Sequence, residues 1–171
     1  MRMYALVLYE SMFGNTQQVA RSIADGLAAV MRVETMEIGA APSTVPEDVD
    51  LLVVGGPTHA FSMTRPSTRE SAAQQAREPL VSRGVGLREW LDNARFASSH
   101  LAAAAFDTRV RRAPGSAARA ARRRLRRHGV RVSAPAESFF VTGTLGPLAD
   151  GELDRARRWG EHLAALLATP A

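Results

Sequence analysis

The residue types between positions 11 and 16 are suited to binding an anion such as a phosphate. This segment directly follows a short apolar run and reads Ser11, Met12, Phe13, Gly14, Asn15 and Thr16. Hydroxyl and amide side chains can donate hydrogen bonds, and Gly14 allows the backbone to close tightly around an anion. The next residues have helical spacing, so free N–H groups and the helix dipole would also face the anion. The pattern predicts a phosphate-binding turn between a strand and a helix.

The spacing of this turn excludes two common phosphate loops. A Walker A loop requires a lysine before its last Ser or Thr, whereas the chain contains no lysine. The dinucleotide fingerprint requires three spaced glycines, which this turn does not have. The pattern Ser-x-x-Gly-Asn-Thr instead resembles the phosphate loop of flavodoxins, which binds the 5′-phosphate of FMN. The resemblance extends from Val7 to Ala20, and Arg21 stands where that family usually has an aliphatic residue. A plain helix N-cap without a ligand is the alternative, but such a cap needs only one of these residues.

A second segment follows the third predicted strand and also resembles flavodoxins. Residues 55–63 read Gly-Gly-Pro-Thr-His-Ala-Phe-Ser-Met, and the two glycines allow close approach of the backbone to a ligand. The resemblance implies that this loop contacts the flavin, and its Gly-Pro-Thr run is similar to that of flavodoxin-like quinone reductases. The implied contact residues are Pro57, Thr58, His59, Ala60 and Phe61, with His59 or Phe61 as a stacking ring. In the alternative, Phe61 packs in the core and His59 is an ordinary surface histidine.

A third segment, predicted as the loop after the fourth strand, completes the expected site. Phe106, Asp107, Thr108 and Arg109 would offer polar groups to the pyrimidine edge of the flavin. The segment lacks the tyrosine with which many flavodoxins stack on the outer flavin face. No catalytic residue and no metal site is predicted, because the sequence has no paired carboxylates, Ser-His-Asp order or metal-ligand cluster that supports one.

Apolar runs alternate with segments of helical spacing, which predicts a parallel sheet covered on both faces. The predicted strands are residues 3–9, 32–38, 50–55, 100–106 and a fifth one between 130 and 141, interrupted near Pro135. The predicted helices are residues 15–30, 67–77, a short segment after Gly86, 117–128 and 150–168. Ser67 with Glu70 is expected to form a capping box, Asp150 is expected to be an N-cap, and residues 39–49 are expected to be a plain connection.

These elements predict one α/β domain over residues 1–171. Together with the resemblance, they predict a doubly wound, flavodoxin-like five-stranded parallel sheet with strand order 2-1-3-4-5. Such sheets bind ligands at the carboxyl ends of the strands where the order reverses, here between strands 1 and 3. No long segment interrupts the fifth strand, so the short-chain form of the family is expected.

Composition excludes several classes of chemistry. With no cysteine there are no disulfides, thiolate metal sites or cysteine nucleophiles, and with no lysine there is no Schiff-base chemistry. The sequence goes directly into a predicted strand and has no apolar run that approaches the length of a membrane span. We therefore expect a cytoplasmic protein without a signal peptide or membrane span.

The formal net charge is +5, and its densest run is Arg119, Arg122, Arg123, Arg124, Arg126 and Arg127. The favoured interpretation is a solvated helix face with Ala121 and Leu125 turned inward. The alternative is a docking surface for an acidic partner or nucleic acid. No nucleic-acid partner is expected, because no aromatic residues interleave with the arginines and no nucleic-acid motif is present.

The resemblance favours an FMN-binding electron-transfer protein that works with a reductase and an acceptor. One alternative is an FMN-dependent NAD(P)H:quinone-type reductase, and another is a non-redox flavodoxin-like module that binds an acidic partner. Basic residues flank the predicted site: His59, Arg65, Arg109, Arg111 and Arg112. Their charge should stabilise the reduced anionic flavin, so a redox potential less negative than is usual for the family is expected.

Overall fold

The computed structural model describes residues 2–168 and contains a six-stranded parallel sheet, flanked by helices on both faces, and a separate two-stranded sheet. The strands are β1 (Tyr4–Tyr9), β2 (Arg32–Glu37), β3 (Thr44–Val45), β4 (Leu51–Pro57), β5 (Arg95–Phe96), β6 (Ala102–Val110), β7 (Arg131–Val132) and β8 (Glu137–Val141). The helices are α1 (Asn15–Ala28), α2 (Pro66–Gln75), α3 (Leu87–Asn93), α4 (Ala117–Arg127) and α5 (Glu152–Ala168). Within the described residues, no helix is both long and apolar enough to cross a bilayer.

The main sheet confirms the predicted strand order. Its neighbours run β2-β1-β4-β6-β7, and β8 also pairs with β6, all in parallel. Strands β7 and β8 together form the predicted fifth strand. Pro135 lies in the gap between them, as expected for a residue that has no N–H to donate to a ladder.

Alternating side chains of the central strands build two cores, one on each face of the sheet. In β1, Leu6 and Leu8 pack with residues of α3 and α4, whereas Ala5 and Val7 pack with residues of α1 and α5. Both faces of β1, β4 and β6 are therefore buried, which explains why these strands read as nearly continuous apolar runs. The buried strands hold the loops at their carboxyl ends in fixed positions.

Some predicted boundaries are wrong. The stretch 39–49, predicted as a plain connection, contains β3, which pairs with β5 in a second, two-stranded sheet. The Ser67–Glu70 capping box does not form. Helix α2 begins at Pro66, and the hydroxyl of Thr68 accepts from the backbone N–H of Arg65 at 2.8 Å. Proline is already fixed in a helical φ, so it sets the helix start ahead of the predicted cap.

Two further element boundaries in the structure differ from the predicted ones. Strand β6 continues to Val110, so residues 106–109 belong to the strand and not to the loop after it. Their partners are the last residues of β4 and the strand β8, whose pairing could not be read from local sequence. Helix α5 begins at Glu152, so Asp150 lies just before the N-cap position that it was predicted to fill.

Candidate functional site

A cleft of ≈ 210 Å³ opens at the carboxyl ends of β1, β4 and β6. This is the predicted position, because the chain order reverses between β1 and β4. The lining residues are Ser11, Met12, Phe13, Asn15, Thr16, Pro57, Thr58, His59, Thr108, Arg109, Val110, Ala113, Val141 and Thr144. None of them is acidic, so the cleft favours an anionic ligand.

The turn at residues 11–16 is fixed by contacts with two other parts of the chain. Ser82 holds its start, because the Ser11 N–H donates to the Ser82 hydroxyl at 2.9 Å and the Ser82 N–H donates to the Ser11 carbonyl at 2.7 Å. The hydroxyl oxygens of Thr16 and Thr108, both buried, lie 2.7 Å apart. The turn is therefore tied both to the segment before α3 and to strand β6.

The backbone of this turn is arranged as an anion cradle. Gly14 adopts a φ of 95°, a left-handed conformation that side chains rarely tolerate, and its N–H donates to the Ser11 hydroxyl at 3.1 Å. The neighbouring N–H groups of Met12, Phe13, Asn15 and Thr16 donate no hydrogen bond to any described residue. Because Met12 and Thr16 are almost fully buried, their N–H groups would be costly to leave unsatisfied. The cradle thus fits a phosphate group.

The second wall comes from the end of β4 and the turn that follows. The Thr58 N–H donates to the Thr108 carbonyl at 2.9 Å, and the Thr58 hydroxyl accepts from the Ala117 N–H at 3.0 Å. His59 and Ser62 close a tight turn through reciprocal backbone hydrogen bonds, which places the non-glycine residues Ala60 and Phe61 at φ values of 45° and 76°. Backbone strain of this kind is common at ligand sites.

The two predicted stacking rings occupy different environments. The Phe61 side chain is 66% exposed, so it lies outside the core, and the alternative of a core phenylalanine is wrong. His59 is half-buried and lines the cleft. Burial, and then the charge of Arg69, lower the pKa of His59, so its ring is uncharged at neutral pH. Ala60 is exposed at the tip of the turn, beside a neighbouring hollow formed with Phe13.

Strand β6 contributes only part of the segment predicted for the pyrimidine edge. Thr108 and Arg109 line the cleft, but the Phe106 ring is fully buried against Phe139 and Trp159. Asp107 is also fully buried, and one of its oxygens accepts from the Ser116 hydroxyl at 2.6 Å and the Ala118 N–H at 3.0 Å. Its carboxylate therefore holds the start of α4 instead of facing the cleft.

Another wall of the cleft was not predicted from the sequence. The loop between β8 and α5 brings Thr144 into the lining, and the Leu145 carbonyl accepts from the Asn15 amide at 3.4 Å. The stretch Thr-Gly-Thr-Leu-Gly at 142–146 combines hydroxyls and glycines after a strand, as the first loop does. This composition is the feature of the sequence from which its place in the cleft could have been predicted. The contact of Ser82 with Ser11 has no comparable signal, because it joins residues far apart in the chain.

Two arginines at the end of β6, Arg109 and Arg111, give one side of the cleft a basic character. The Arg109 guanidinium donates to the Ser138 hydroxyl at 3.1 Å and to the Ala113 carbonyl at 2.9 Å, so its position is fixed. The Arg111 guanidinium lies 4.1 Å from the centre of the Phe140 ring. In the described part of the chain, no group of three or more His, Asp or Glu residues is arranged to hold a metal ion. The cleft lining itself offers hydrogen-bond donors and, at Arg109, a positive charge.

Comparison with known proteins identifies the family. A model of the family described as Flavodoxin matches residues 7–159, whereas no curated protein sequence matches. A flavodoxin from Archaea is 19% identical with a TM-score of 0.67, covering 98% of this chain and 100% of that one. The oxidised flavodoxin 1 of Bacillus cereus is 15% identical with a TM-score of 0.65, covering 96% and 97%.

A flavodoxin of Streptococcus pneumonia TIGR4 is also 15% identical, with a TM-score of 0.63 and coverage of 95% of this chain and 98% of that chain. At such identities the solved structures establish the fold, while the family match spans most of the chain. The sheet order, the first loop and this match agree with one another. The chain belongs to the flavodoxin family.

Proposed function

We propose that the cleft binds FMN and that the protein is an electron-transfer protein. The observation that carries the proposal is the set of unpartnered N–H groups of Met12, Phe13, Asn15 and Thr16 beside the cleft. They would hold the 5′-phosphate, in keeping with the flavin cofactor that the family implies. The ring system would then lie near His59 and Arg109.

Each wall of the cleft has a separate task in this proposal. The turn at 11–16 binds the phosphate through backbone donors and the hydroxyls of Ser11 and Thr16, without a cationic side chain. The turn after β4 covers one side of the ligand and keeps water from it. Arg109, fixed by two hydrogen bonds, places positive charge close to the ligand. A bound flavin would supply the reversible uptake of electrons.

An FMN titration tests the cofactor proposal. We expect the purified protein, freed of any cofactor, to quench FMN fluorescence and to shift its visible absorption bands. Thr16→Val removes a hydroxyl at the cradle and should weaken binding about tenfold, since one hydrogen bond to a charged group contributes ~1.5 kcal/mol or more. Thr35→Val, on the exposed face of β2, is the matched control and should bind as the unaltered protein does.

Two outcomes would contradict this assignment. Absence of quenching would mean that the cleft does not bind FMN. Equal affinities of the Thr16→Val and Thr35→Val variants would mean that the Thr16 hydroxyl does not contribute to FMN binding. Circular dichroism of both variants controls for loss of the fold.

A steady-state assay separates the electron carrier from the NAD(P)H-dependent reductase. We expect the FMN-loaded protein alone to oxidise neither NADH nor NADPH in the presence of a quinone, because the sequence carries no nicotinamide-binding motif. Multiple turnover without an added reductase would favour the reductase instead. A potentiometric titration tests the effect of Arg109: Arg109→Gln should make the flavin potential more negative, because it removes a positive charge near the ring system.

A further inference from the structure

Helix α4 presents a strongly basic face to solvent. It buries alanines and Leu125 against the sheet, as the sequence predicts, and the opposite side carries arginines spaced by three and four residues. We call this surface the α4 arginine face; it consists of Arg119, Arg122, Arg123 and Arg126. With Pro135 and Ala136 these side chains line a groove of ≈ 310 Å³.

The α4 arginine face has no anionic partner within the described chain. None of its four arginines forms a salt bridge there, whereas Arg124, on another side of the helix, pairs with Asp92 at 2.9 Å. The Nε atom of Arg122 is buried and, among the described residues, has no hydrogen-bond partner. The backbone positions of the four arginines span only about 11 Å along the helix, and like charges at this three- and four-residue spacing repel one another. An external anion bound to this face would reduce the repulsion between the arginines.

The position of this face connects it with the cleft. Helix α4 begins at the cleft wall, since the Ala117 N–H donates to the Thr58 hydroxyl at 3.0 Å and the Ser116 N–H donates to the Phe61 carbonyl at 3.1 Å. Arg119 lies only one turn further along the helix. A macromolecule on the α4 arginine face would therefore lie beside the cleft.

We propose that the α4 arginine face is a docking surface for an acidic segment of a partner protein. Guanidinium groups spaced along two helical turns match carboxylates spaced along an extended or helical peptide, which they can bind through paired hydrogen bonds. Pro135 and Ala136 give the groove an apolar floor for a neighbouring side chain of the partner. No aromatic ring lines this groove, so it lacks the stacking surface that single-stranded nucleic acids use.

Peptide binding in solution tests this surface directly. The probe is a fluorescein-labelled oligoglutamate peptide, and its anisotropy is measured against the FMN-free and the FMN-loaded protein at low and at physiological salt. One variant carries Arg119→Gln, Arg122→Gln, Arg123→Gln and Arg126→Gln. The matched control removes the same charge elsewhere on the surface, with Arg2→Gln, Arg21→Gln, Arg95→Gln and Arg158→Gln.

We expect the unaltered protein to bind the peptide in both cofactor states, more weakly as salt rises. The face variant should lose about tenfold in affinity, as four exposed ion pairs together allow, and the control should lose less than about twofold. Equal losses in both variants would overturn the proposal, because net charge alone would then explain binding. Since the FMN-free protein is measured too, failure of FMN binding and failure of docking are distinguishable.

Two further measurements complete the test. A single-stranded oligonucleotide that binds more tightly than the peptide, and through the same four arginines, would overturn the acidic-protein partner in favour of nucleic acid. Should the fourfold variant not fold, Arg123→Glu replaces it, because this exposed side chain forms no salt bridge within the described chain. It should weaken peptide binding several-fold more than Arg158→Glu does, and equal effects would again refute the proposal.

Discussion

Gly115 packs directly against Phe61 in the turn at the cleft. Replacing this glycine should destabilise the protein both through its left-handed backbone and through a steric clash with Phe61, and a control variant distinguishes the two effects. Gly115 has a φ of 86°, and a Cβ placed there would lie 2.1 Å from the Phe61 carbonyl oxygen. Gly129 has a similar φ of 78°, but nothing lies within 4 Å of its added Cβ. Gly129→Ala is therefore the matched control for Gly115→Ala.

Both variants place an alanine in a left-handed backbone conformation, but only Gly115→Ala also creates a steric clash. A left-handed alanine costs about 1–2 kcal/mol relative to glycine, so Gly129→Ala should lower the free energy of unfolding by that amount. In Gly115→Ala, the Phe61 carbonyl must in addition move by about 1.3 Å to reach ordinary contact. This movement breaks the 3.1 Å hydrogen bond from the Ser116 N–H, which contributes about 1 kcal/mol. We expect Gly115→Ala to cost about 2–4 kcal/mol in total.

Urea unfolding followed by the fluorescence of Trp90 and Trp159 measures both values, and an FMN titration follows the cleft. Gly115→Ala should also weaken FMN binding, since it displaces the turn that carries Phe61, whereas Gly129→Ala should leave FMN binding unchanged. Unfolding free energies that agree within about 0.5 kcal/mol would refute the reasoning, because the steric contribution would then be absent.

Three other residues give sharp expectations. Burial raises the pKa of Glu10, although hydrogen bonds from Thr64 and the Leu87 N–H oppose the rise. The free energy of unfolding is therefore highest below the unfolded pKa of 4.5, where Glu10 is protonated, and it falls as pH rises through the folded pKa. Glu10→Gln should flatten the dependence of unfolding free energy on pH above 4.5, and an unchanged slope in urea titrations would contradict this. Asp107→Ala removes the acceptor for two donors at the start of α4 and should cost about 2–4 kcal/mol in urea unfolding, with Asp107→Asn less harmful; a loss below about 1 kcal/mol would contradict the assigned role. Phe61→Ala should change stability by less than about 0.5 kcal/mol, because the ring is mostly exposed, yet weaken FMN binding about fivefold through lost stacking; unchanged affinity in the FMN titration would contradict that contact.

The turn at residues 11–16 could be predicted from local residue types, whereas the strand order was predicted only together with the resemblance to flavodoxins. A strand, a hydroxyl- and glycine-rich turn and a helix follow one another within residues 4–28, and contacts with Ser82 and Thr108 then fix the turn. The buried strands β1, β4 and β6 are apolar on both faces, so their central positions could also be predicted from the sequence.

The remainder of the cleft is decided by contacts between distant segments. Phe106 and Asp107 are chemically suitable for a ligand site, but β6 extends past them because β4 and β8 pair on either side. The alternation of side chains along that strand then turns Phe106 into one core and Asp107 toward α4.

The sequence by itself determined the apolar strand runs, the turn at residues 11–16 and the distribution of charge along α4, since each depends on the types and spacing of neighbouring residues. Only the tertiary structure decided which side chains reach the cleft and which arginines lack a partner. Thr144 is brought to the cleft by the loop after β8, and Arg124 is paired by Asp92 of α3 while Arg122 is not. The physical reason is that pairing across the fold depends on distances between segments, and local spacing does not encode these distances.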